Sequence, residues 1–231
     1  MNKATFLSEL DRRGISCNIE QVNLLWEFMY HVLETNEKFN LTAITDEEEF
    51  RELMIYDSLL PMKYIDFNNK KVLDLGTGGG FPGLPLLLCN NMKLSLLDST
   101  AKKINHIEQY LLANNLEAKA VAARAEDYAK KNREKFDIVI SRAVSKLNIL
   151  LELAIPYLKV GGMLLALKGK NYQVELDEAK STLKKLDAEI VDLYLDNLTN
   201  KEERCLIVIK KNKVTKKKYP RSYSEIKSNP L

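Results

Sequence analysis

The sequence predicts an α/β protein built on a doubly wound, mostly parallel sheet. From residue 70 onward, short apolar runs alternate with helical stretches, which is typical of parallel strands joined by crossover helices. A glycine-rich turn at 76–83 follows the first apolar run, and the region before residue 66 has helical patterning without such turns. These observations predict a seven-stranded sheet preceded by a helical extension.

The helical extension is predicted from two capping pairs. Asn18 and Gln21 have the spacing of a capping box, and apolar side chains then recur at helical spacing. Asp46 and Glu49 have the same spacing and begin another amphipathic stretch. We therefore expect residues 1–65 to form helices that pack on the core.

The strands and crossover helices follow in order along the rest of the chain. The last two strands flank a turn-like segment and are predicted to form an antiparallel hairpin at the sheet edge. The predicted strands are Lys71 to Leu75, Lys93 to Asp98, Ala118 to Ala122, Phe136 to Ser141, Met163 to Lys168, Glu189 to Leu195 and Arg204 to Lys210. The predicted helices among them are Leu84 to Cys89, Lys102 to Asn114, Ala125 to Asn132, Lys146 to Leu158 and Val174 to Leu186.

Composition narrows the classes of protein. The 231 residues are 45% hydrophobic, which is ordinary for one large packed core. No apolar run approaches the ~20 residues of a membrane span, and the charged N-terminus is unlike a signal peptide, so we expect a cytoplasmic protein. Cys17, Cys89 and Cys205 are odd in number and far apart, which suits neither a disulfide framework nor a zinc site.

Positive charge is concentrated at the C-terminus. The net charge is +3, yet residues 210–231 carry eight Lys or Arg and a single acid, Glu225. Such a block binds phosphates by displacing counterions, and it is equally typical of a solvated terminus. Charge alone leaves both interpretations open.

The glycine turn, KVLDLGTGGGFPGLP, predicts a nucleotide-type cofactor. Gly78, Gly80 and Gly83 have GxGxxG spacing, and Asp98 lies eighteen residues after Gly80, as in nicotinamide dehydrogenases. Asp74 extends the motif to DxGxGxG, which favours a methyl donor: a carboxylate beside the cleft would repel a pyrophosphate but can orient an amino group. We therefore expect Asp74 to face the cleft.

Other polar residues end neighbouring strands, at the edge where doubly wound sheets bind ligands. Asp98 is expected to accept hydrogen bonds from ribose hydroxyls, or to cap the following helix. Arg124 to Asp127 (RAED) fall where an adenine edge would lie, or supply acids for a helix N-terminus. Arg142 is expected to pair with a ligand carboxylate or an RNA phosphate, with a buried structural ion pair as the alternative.

The fourth strand ends in FDIVISRAV, which lacks the residues typical of two kinds of methyl transfer. Enzymes that methylate an exocyclic amine usually have Asn or Asp followed by Pro-Pro and an aromatic residue there. Those that methylate cytosine C5 need a cysteine nucleophile. Neither pattern is present.

Motifs along almost the whole chain resemble the RsmG (GidB) family of bacterial 16S rRNA guanine-N7 methyltransferases. The resemblance ends after the YPR motif of the tail. The family usually continues there into a Gly-Pro segment, whereas this chain has SYSEIKSNPL. The matching motifs are FNLTAI at 39–44, YDSL at 56–59, DLGTGGGFPGLP at 74–85, LLDS at 96–99, RAED at 124–127, SRAV at 141–144, LKG at 167–169 and KYPR at 218–221.

The resemblance implies a fold, a cofactor and a site. The fold is a Rossmann-like class I methyltransferase with a seven-stranded, mostly parallel sheet whose last strand is antiparallel. Its domains are the helical extension at 1–65, an S-adenosylmethionine-binding domain at 66–211 and a basic tail at 212–231. The residues expected to bind S-adenosylmethionine are Gly76, Gly78, Phe81, Asp98, Ala125, Glu126 and Arg142.

The implied reaction is methylation of guanine N7 in 16S rRNA of the small ribosomal subunit or its assembly intermediate, by a monomer. Guanine N7 carries a lone pair and no proton, so no general base is expected, which leaves His31 and His106 as packing or surface residues.

We expect basic residues to hold the RNA, with Tyr172, Tyr219 and Tyr223 as stacking platforms. The basic residues are Lys168, Lys170, Lys216, Lys217, Lys218 and Arg221. A nicotinamide oxidoreductase and a non-catalytic RNA-binding protein are the alternatives.

Overall fold

The computed structural model describes residues 1–37, 41–198 and 202–231, and its centre is one seven-stranded sheet. The strand order is β3-β2-β1-β4-β5-β7-β6; β1 to β5 are parallel, and β7 runs antiparallel to both neighbours. This confirms the predicted sheet and its antiparallel last strand. The strands are β1 (Lys71–Leu75), β2 (Lys93–Asp98), β3 (Ala118–Ala122), β4 (Phe136–Arg142), β5 (Leu158–Lys168), β6 (Ala188–Asn197) and β7 (Glu203–Lys211).

Helices cover both faces of the sheet. The helices are α1 (Lys3–Arg12), α2 (Ile19–Asn36), α3 (Glu47–Phe50), α4 (Asp57–Leu59), α5 (Gly83–Cys89), α6 (Ala101–Ala113), α7 (Ala125–Asn132), α8 (Leu147–Ala154), α9 (Tyr172–Lys185) and α10 (Tyr223–Ser228). A π-helical turn spans Arg51–Tyr56, and 3₁₀ turns span Leu60–Lys63 and Ile155–Tyr157. Among the described residues, none of these helices has the length and apolar content needed to cross a membrane.

Two apolar cores form because side chains alternate across the strands. Val72 packs with the N-terminal helices in the first core, whereas its neighbour Leu73 packs in the second core with α8, α9 and the C-terminal segment. Both faces of the parallel strands are thereby buried, which explains their continuous apolar runs.

The helical extension joins the first core directly. The capping box of Asn18 and Gln21 begins α2, and Asp46 caps α3, as predicted. The helical stretch expected after Asp46 is present, and it changes from α-helical to π-helical hydrogen bonding at Arg51–Tyr56. There the Leu53 carbonyl accepts a hydrogen bond of 2.8 Å from Arg142 Nη1 on β4. Such π-helical turns are frequent at functional sites.

The C-terminal segment folds back onto the second core. Ile226 of α10 is fully buried, and Tyr219 is almost so. Arg133 donates hydrogen bonds to the carbonyls of Tyr219, Thr215 and Lys216. The segment 212–231 therefore packs against the second core and also carries positive charge.

Candidate active site

The side chain of Asp74 holds the two ends of the glycine turn together. This side chain is fully buried, and Oδ2 accepts hydrogen bonds from Thr77 Oγ1 at 2.6 Å and from the Gly83 amide at 2.8 Å. The expectation that Asp74 faces the cleft is wrong: the carboxylate fastens the two ends of the turn instead. Burial raises the pKa of Asp74 to about 6.

Three glycines of this turn, Gly76, Gly78 and Gly80, have left-handed backbone conformations. Gly76 has φ +77°, and a Cβ there would lie 2.3 Å from Val144 Cγ2. Gly78 has φ +57°, and no atom lies within 4 Å of the position its Cβ would take. A side chain at Gly78 would fill the space above the turn, and one at Gly76 would displace Val144.

Asp98 links the glycine turn to the next loop. Its Oδ2 accepts a hydrogen bond of 3.0 Å from the Gly78 amide, and its Oδ1 accepts one of 2.8 Å from the Thr100 amide just before α6. The N-cap residue of α6 is Thr100 and the helix has no side-chain cap, so the helix-cap role considered for Asp98 is not present. The side chain also lines the cavity above the turn.

A cavity of about 330 Å³ lies at the carboxyl ends of β1, β2 and β3, and we call it the glycine cavity. Its volume falls in the range of small-molecule sites. Five of the seven residues expected to bind the cofactor line it, namely Gly76, Gly78, Asp98, Ala125 and Glu126. It is also lined by Arg124, which belongs to the RAED segment expected at an adenine edge, and by Lys103, Val144, Leu153 and Tyr223, which were not predicted to contact the cofactor.

Phe81 lies beneath the glycine turn and outside the lining of this cavity. Its side chain is buried, with ring centroids 5.1 Å from Phe28 and 5.7 Å from Phe50. The guanidinium of Arg142 lies 5.7 Å from the Phe81 ring centroid. Phe81 therefore packs the turn against the helical extension and supports Arg142.

Arg142 lies in a second cavity beside the first. Its Nη1 donates to Asp57 Oδ2 at 3.2 Å, while the other oxygen of Asp57 accepts from Arg204 Nε, also at 3.2 Å. Of the two roles considered for Arg142, the structure shows the ion pair. We call this second space, of about 530 Å³, the arginine cavity; Leu53, Lys168 and Glu175 also line it.

The two cavities meet at the loop that follows β4. Ala143 and Val144 line both of them. Ala143 has φ +55°, a left-handed conformation that non-glycine residues adopt at a cost and that is enriched at functional sites. This loop therefore forms the wall that the two cavities share.

The basic residues expected to bind RNA are in different settings. Lys168 is buried, with Nζ 2.7 Å from Glu175 and 2.6 Å from the Ser145 carbonyl. Lys170 and the three lysines at 216–218 are exposed. Arg221 instead pairs with the buried Glu152 at 2.6 Å. Of the described residues, no group of three or more His, Cys, Asp or Glu has a metal-binding arrangement.

The aromatic platforms differ from the prediction as well. Tyr172 and Tyr219 are 8% and 5% exposed, too buried to stack with RNA bases, so this part of the prediction is wrong. Tyr223 lines the glycine cavity. Phe39 and Asn40 of the FNLTAI motif lie outside the described residues.

The strand order and the glycine cavity together define a Rossmann-like methyltransferase fold. Solved structures agree: the TYW2 protein of M. jannaschii in complex with AdoMet has a TM-score of 0.57 at 15% identity, over 73% of this chain and 79% of that one. The P. horikoshii TYW2 complex with MeSAdo gives 0.55 at 11% identity, over 68% and 62%. At these identities the likeness concerns the fold.

The family is shown by sequence. The chain belongs to the GidB family, described as rRNA small subunit methyltransferase G, whose model matches residues 21–205. A Ribosomal RNA small subunit methyltransferase G of Streptococcus sanguinis is 40% identical over 239 aligned positions, covering 100% of both chains. One from Bacillus cytotoxicus is 39% identical over 96% of this chain and 95% of its own length.

Proposed function

We propose that this chain transfers the methyl group of S-adenosylmethionine to N7 of one guanine in 16S rRNA of the small ribosomal subunit. The observation that carries the proposal is the contact between the glycine cavity and the arginine cavity at Ala143 and Val144, in a chain of this family. One cavity suits the methyl donor and the other suits an anionic nucleotide. We further infer that the chain acts as a cytoplasmic monomer, organised as an extension, a core domain and a basic C-terminal segment with the boundaries given above.

The residues of the glycine cavity fit S-adenosylmethionine better than NAD. A pyrophosphate needs free backbone amides at the turn, but the Gly78 amide donates to Asp98 and the Gly83 amide donates to Asp74. The Asp98 carboxylate, which accepts from the Gly78 amide, would repel a phosphate placed at the turn. Gly76 and Gly78 would approach the methionine portion, Asp98 the ribose, and Ala125 with Glu126 the adenine.

Methyl transfer to N7 makes few chemical demands on the protein. The bound cofactor supplies an electrophilic methyl carbon on a positively charged sulfur. The N7 lone pair forms the new N–C bond while the electrons of the S–C bond return to sulfur, so the positive charge moves to the base and no proton is transferred. The residues therefore only have to hold the two reactants in line and exclude water.

The arginine cavity is suited to hold the RNA nucleotide. Arg142, Arg204 and Lys168 face two carboxylates there, those of Asp57 and Glu175. The excess positive charge favours a phosphate, and the planar guanidinium of Arg142 can donate to guanine O6 or to a phosphate oxygen. Asp57 and the Leu53 carbonyl fix the plane of that guanidinium.

Two measurements test the proposal against its alternatives. Calorimetric titration should show binding of S-adenosylmethionine and none of NAD; the reverse would favour the oxidoreductase. Labelled methyl groups should then pass to small subunits or 16S rRNA from a strain that lacks this activity, and not to subunits already methylated. Cofactor and RNA binding without transfer would instead identify a non-catalytic RNA-binding protein.

A further inference from the structure

The C-terminal segment supplies part of the wall of the glycine cavity. Tyr223, the first residue of α10, lines this cavity together with Gly76 and Gly78 of the glycine turn. The guanidinium carbon of Arg124 lies 4.7 Å from the centre of the Tyr223 ring, and Arg124 lines the same cavity. An aromatic ring and a guanidinium from distant parts of the chain therefore face the same ligand space.

This wall is fixed in place by a buried ion pair. Glu152 of α8 is fully buried, and its two oxygens accept hydrogen bonds from Arg221 Nε at 2.8 Å and Nη2 at 2.6 Å. The Arg221 amide donates to the same carboxylate at 3.0 Å. Two residues further on, Tyr223 begins a helix whose capping box, Ser222 with Glu225, sets the direction of its first turn.

The position of Tyr223 identifies the part of the ligand that it meets. Along the edge of the sheet the order is β4, β1, β2, β3, so a ligand whose reactive end lies near Ala143, after β4, and whose ribose lies at Asp98, after β2, extends its base toward β3. Arg124 directly follows β3 and contacts Tyr223. Tyr223 therefore lies at the base end of the cavity.

We propose that Tyr223, with Arg124 packed on its ring, stacks on the adenine of S-adenosylmethionine, so that the C-terminal segment is a binding element for the cofactor. The proposal rests on the proposed function. Aromatic residues are suited to this task because every purine presents a flat π-face to them. The Arg221–Glu152 pair is then a positioning device for the stacking residue.

The test compares Tyr223→Leu, which keeps apolar bulk, with Tyr223→Phe, which keeps the ring, using calorimetric Kd values for S-adenosylmethionine and for adenosine. Tyr223→Leu should raise both Kd values by about tenfold, because a base–aromatic stack is lost. Tyr223→Phe should bind both ligands as the wild type does. Tyr30→Leu, at an exposed tyrosine of α2, is the matched control and should leave both Kd values unchanged. Thermal unfolding of all variants checks that each is folded.

The possible outcomes separate this inference from the function on which it rests. Failure of the wild type to bind S-adenosylmethionine would overturn the proposed function itself. If the wild type binds and Tyr223→Leu binds equally well, the function stands and the stacking role is overturned. Equal weakening by Tyr223→Phe would also overturn it, since the ring would then not be the feature that matters. A loss for S-adenosylmethionine without a loss for adenosine would place Tyr223 away from the base.

Discussion

The glycine cavity and the arginine cavity are adjacent, but they are built in different ways. The glycine cavity is lined largely by backbone and small residues from the loops after consecutive strands. The arginine cavity is lined by charged side chains from distant segments: Asp57, Arg142, Lys168 and Arg204 come from the helical extension, β4, β5 and β7. Apart from its C-terminal wall at Tyr223, the first thus depends on backbone conformation, and the second depends on ion pairs.

The difference in construction matches a difference in charge. The glycine cavity is lined by two acids, Asp98 and Glu126, and two bases, Lys103 and Arg124, whereas cations outnumber carboxylates around the arginine cavity. An RNA phosphate is therefore favoured more strongly in the arginine cavity than in the glycine cavity. Substitutions that act on one cavity and spare the other test this division.

The largest effect is expected from Gly76→Ala. The new Cβ would clash with Val144 Cγ2, and residue 76 would have to keep φ +77°, which a side chain disfavours. The turn should therefore relax to another conformation, and cofactor binding would have to restore the original one. The backbone strain costs about 1–3 kcal/mol, and the cavity wall at Val144 is displaced as well. We therefore expect S-adenosylmethionine affinity to fall on the order of a hundredfold. Calorimetric titration measures this change in the Kd for S-adenosylmethionine.

Gly161→Ala is the matched control for this strain. Gly161 has a similar φ of +83°, with no atom within 4 Å of its would-be Cβ, and it lies on β5 away from both cavities. Its substitution should lower stability by about 1 kcal/mol and leave cofactor affinity unchanged. If both variants lost affinity alike, the close approach at Gly76 would not matter.

The second prediction concerns Arg142→Lys. An ammonium keeps the charge but cannot bond Asp57, the Leu53 carbonyl and a nucleotide with the geometry of a planar guanidinium. We expect kcat/KM for rRNA to fall roughly thirtyfold, equal to about 2 kcal/mol, with the Kd for S-adenosylmethionine within threefold of wild type. A parallel loss of cofactor affinity would instead assign Arg142 to the cofactor, as the family resemblance implies.

The third prediction concerns Glu152→Gln, which leaves Arg221 without its buried partner. The free energy of unfolding, measured with urea, should fall by about 3 kcal/mol. Because this pair positions the wall at Tyr223, cofactor affinity should fall by roughly fivefold, while RNA affinity stays unchanged. Loss of RNA affinity alone would show that the C-terminal segment serves the RNA and not the glycine cavity.

The smallest effect on catalysis is expected from the histidines. His31 and His106 stack with ring centroids 4.8 Å apart, outside the linings of both cavities. Burial, aided by the neighbouring His31, lowers the pKa of His106 to about 4, and burial lowers the pKa of His31 as well. The folded state therefore binds fewer protons than the unfolded state, and stability should fall as the pH drops from about 6.5 toward 4.

Replacing His106 by Phe should remove the larger part of that acid sensitivity and leave the part due to His31. Between pH 7 and pH 5 the wild type should lose about 2 kcal/mol more of its unfolding free energy than His106→Phe. The rate of methyl transfer between pH 6.5 and 8 should be the same for both proteins. A rate that depended on His106 over this range would reveal proton transfer in a reaction that should need none.

These contrasts explain what the sequence predicts well. The strands and the contacts of the glycine turn follow from local rules, because left-handed glycines, strand periodicity and capping boxes act within a few residues. Asp98 belongs to the same class, since a residue at a strand end is placed by the topology alone. Asp74 was placed at the right strand but on the wrong side, because only the folded turn shows that Thr77 and Gly83 enclose it.

The arginine cavity and the C-terminal wall depend on long-range contacts instead. Asp57 and Arg204 are 147 positions apart and meet only after β7 is inserted beside β5. Tyr223 reaches the glycine cavity only because Glu152 holds Arg221. No local pattern around Tyr223 marks it as a cavity residue, and the lysines beside it favoured an RNA-binding interpretation.

The central claim is that the methyl group reaches guanine N7, and mapping the modified atom tests it most directly. The purified chain, S-adenosylmethionine and small subunits from a strain without this activity are incubated, and the extracted 16S rRNA is reduced with borohydride and treated with aniline, which cleaves the strand at N7-methylguanine. The account predicts one new cleavage, at a single guanine, that depends on the cofactor. Methyl incorporation without cleavage would place the group on another atom and contradict the account.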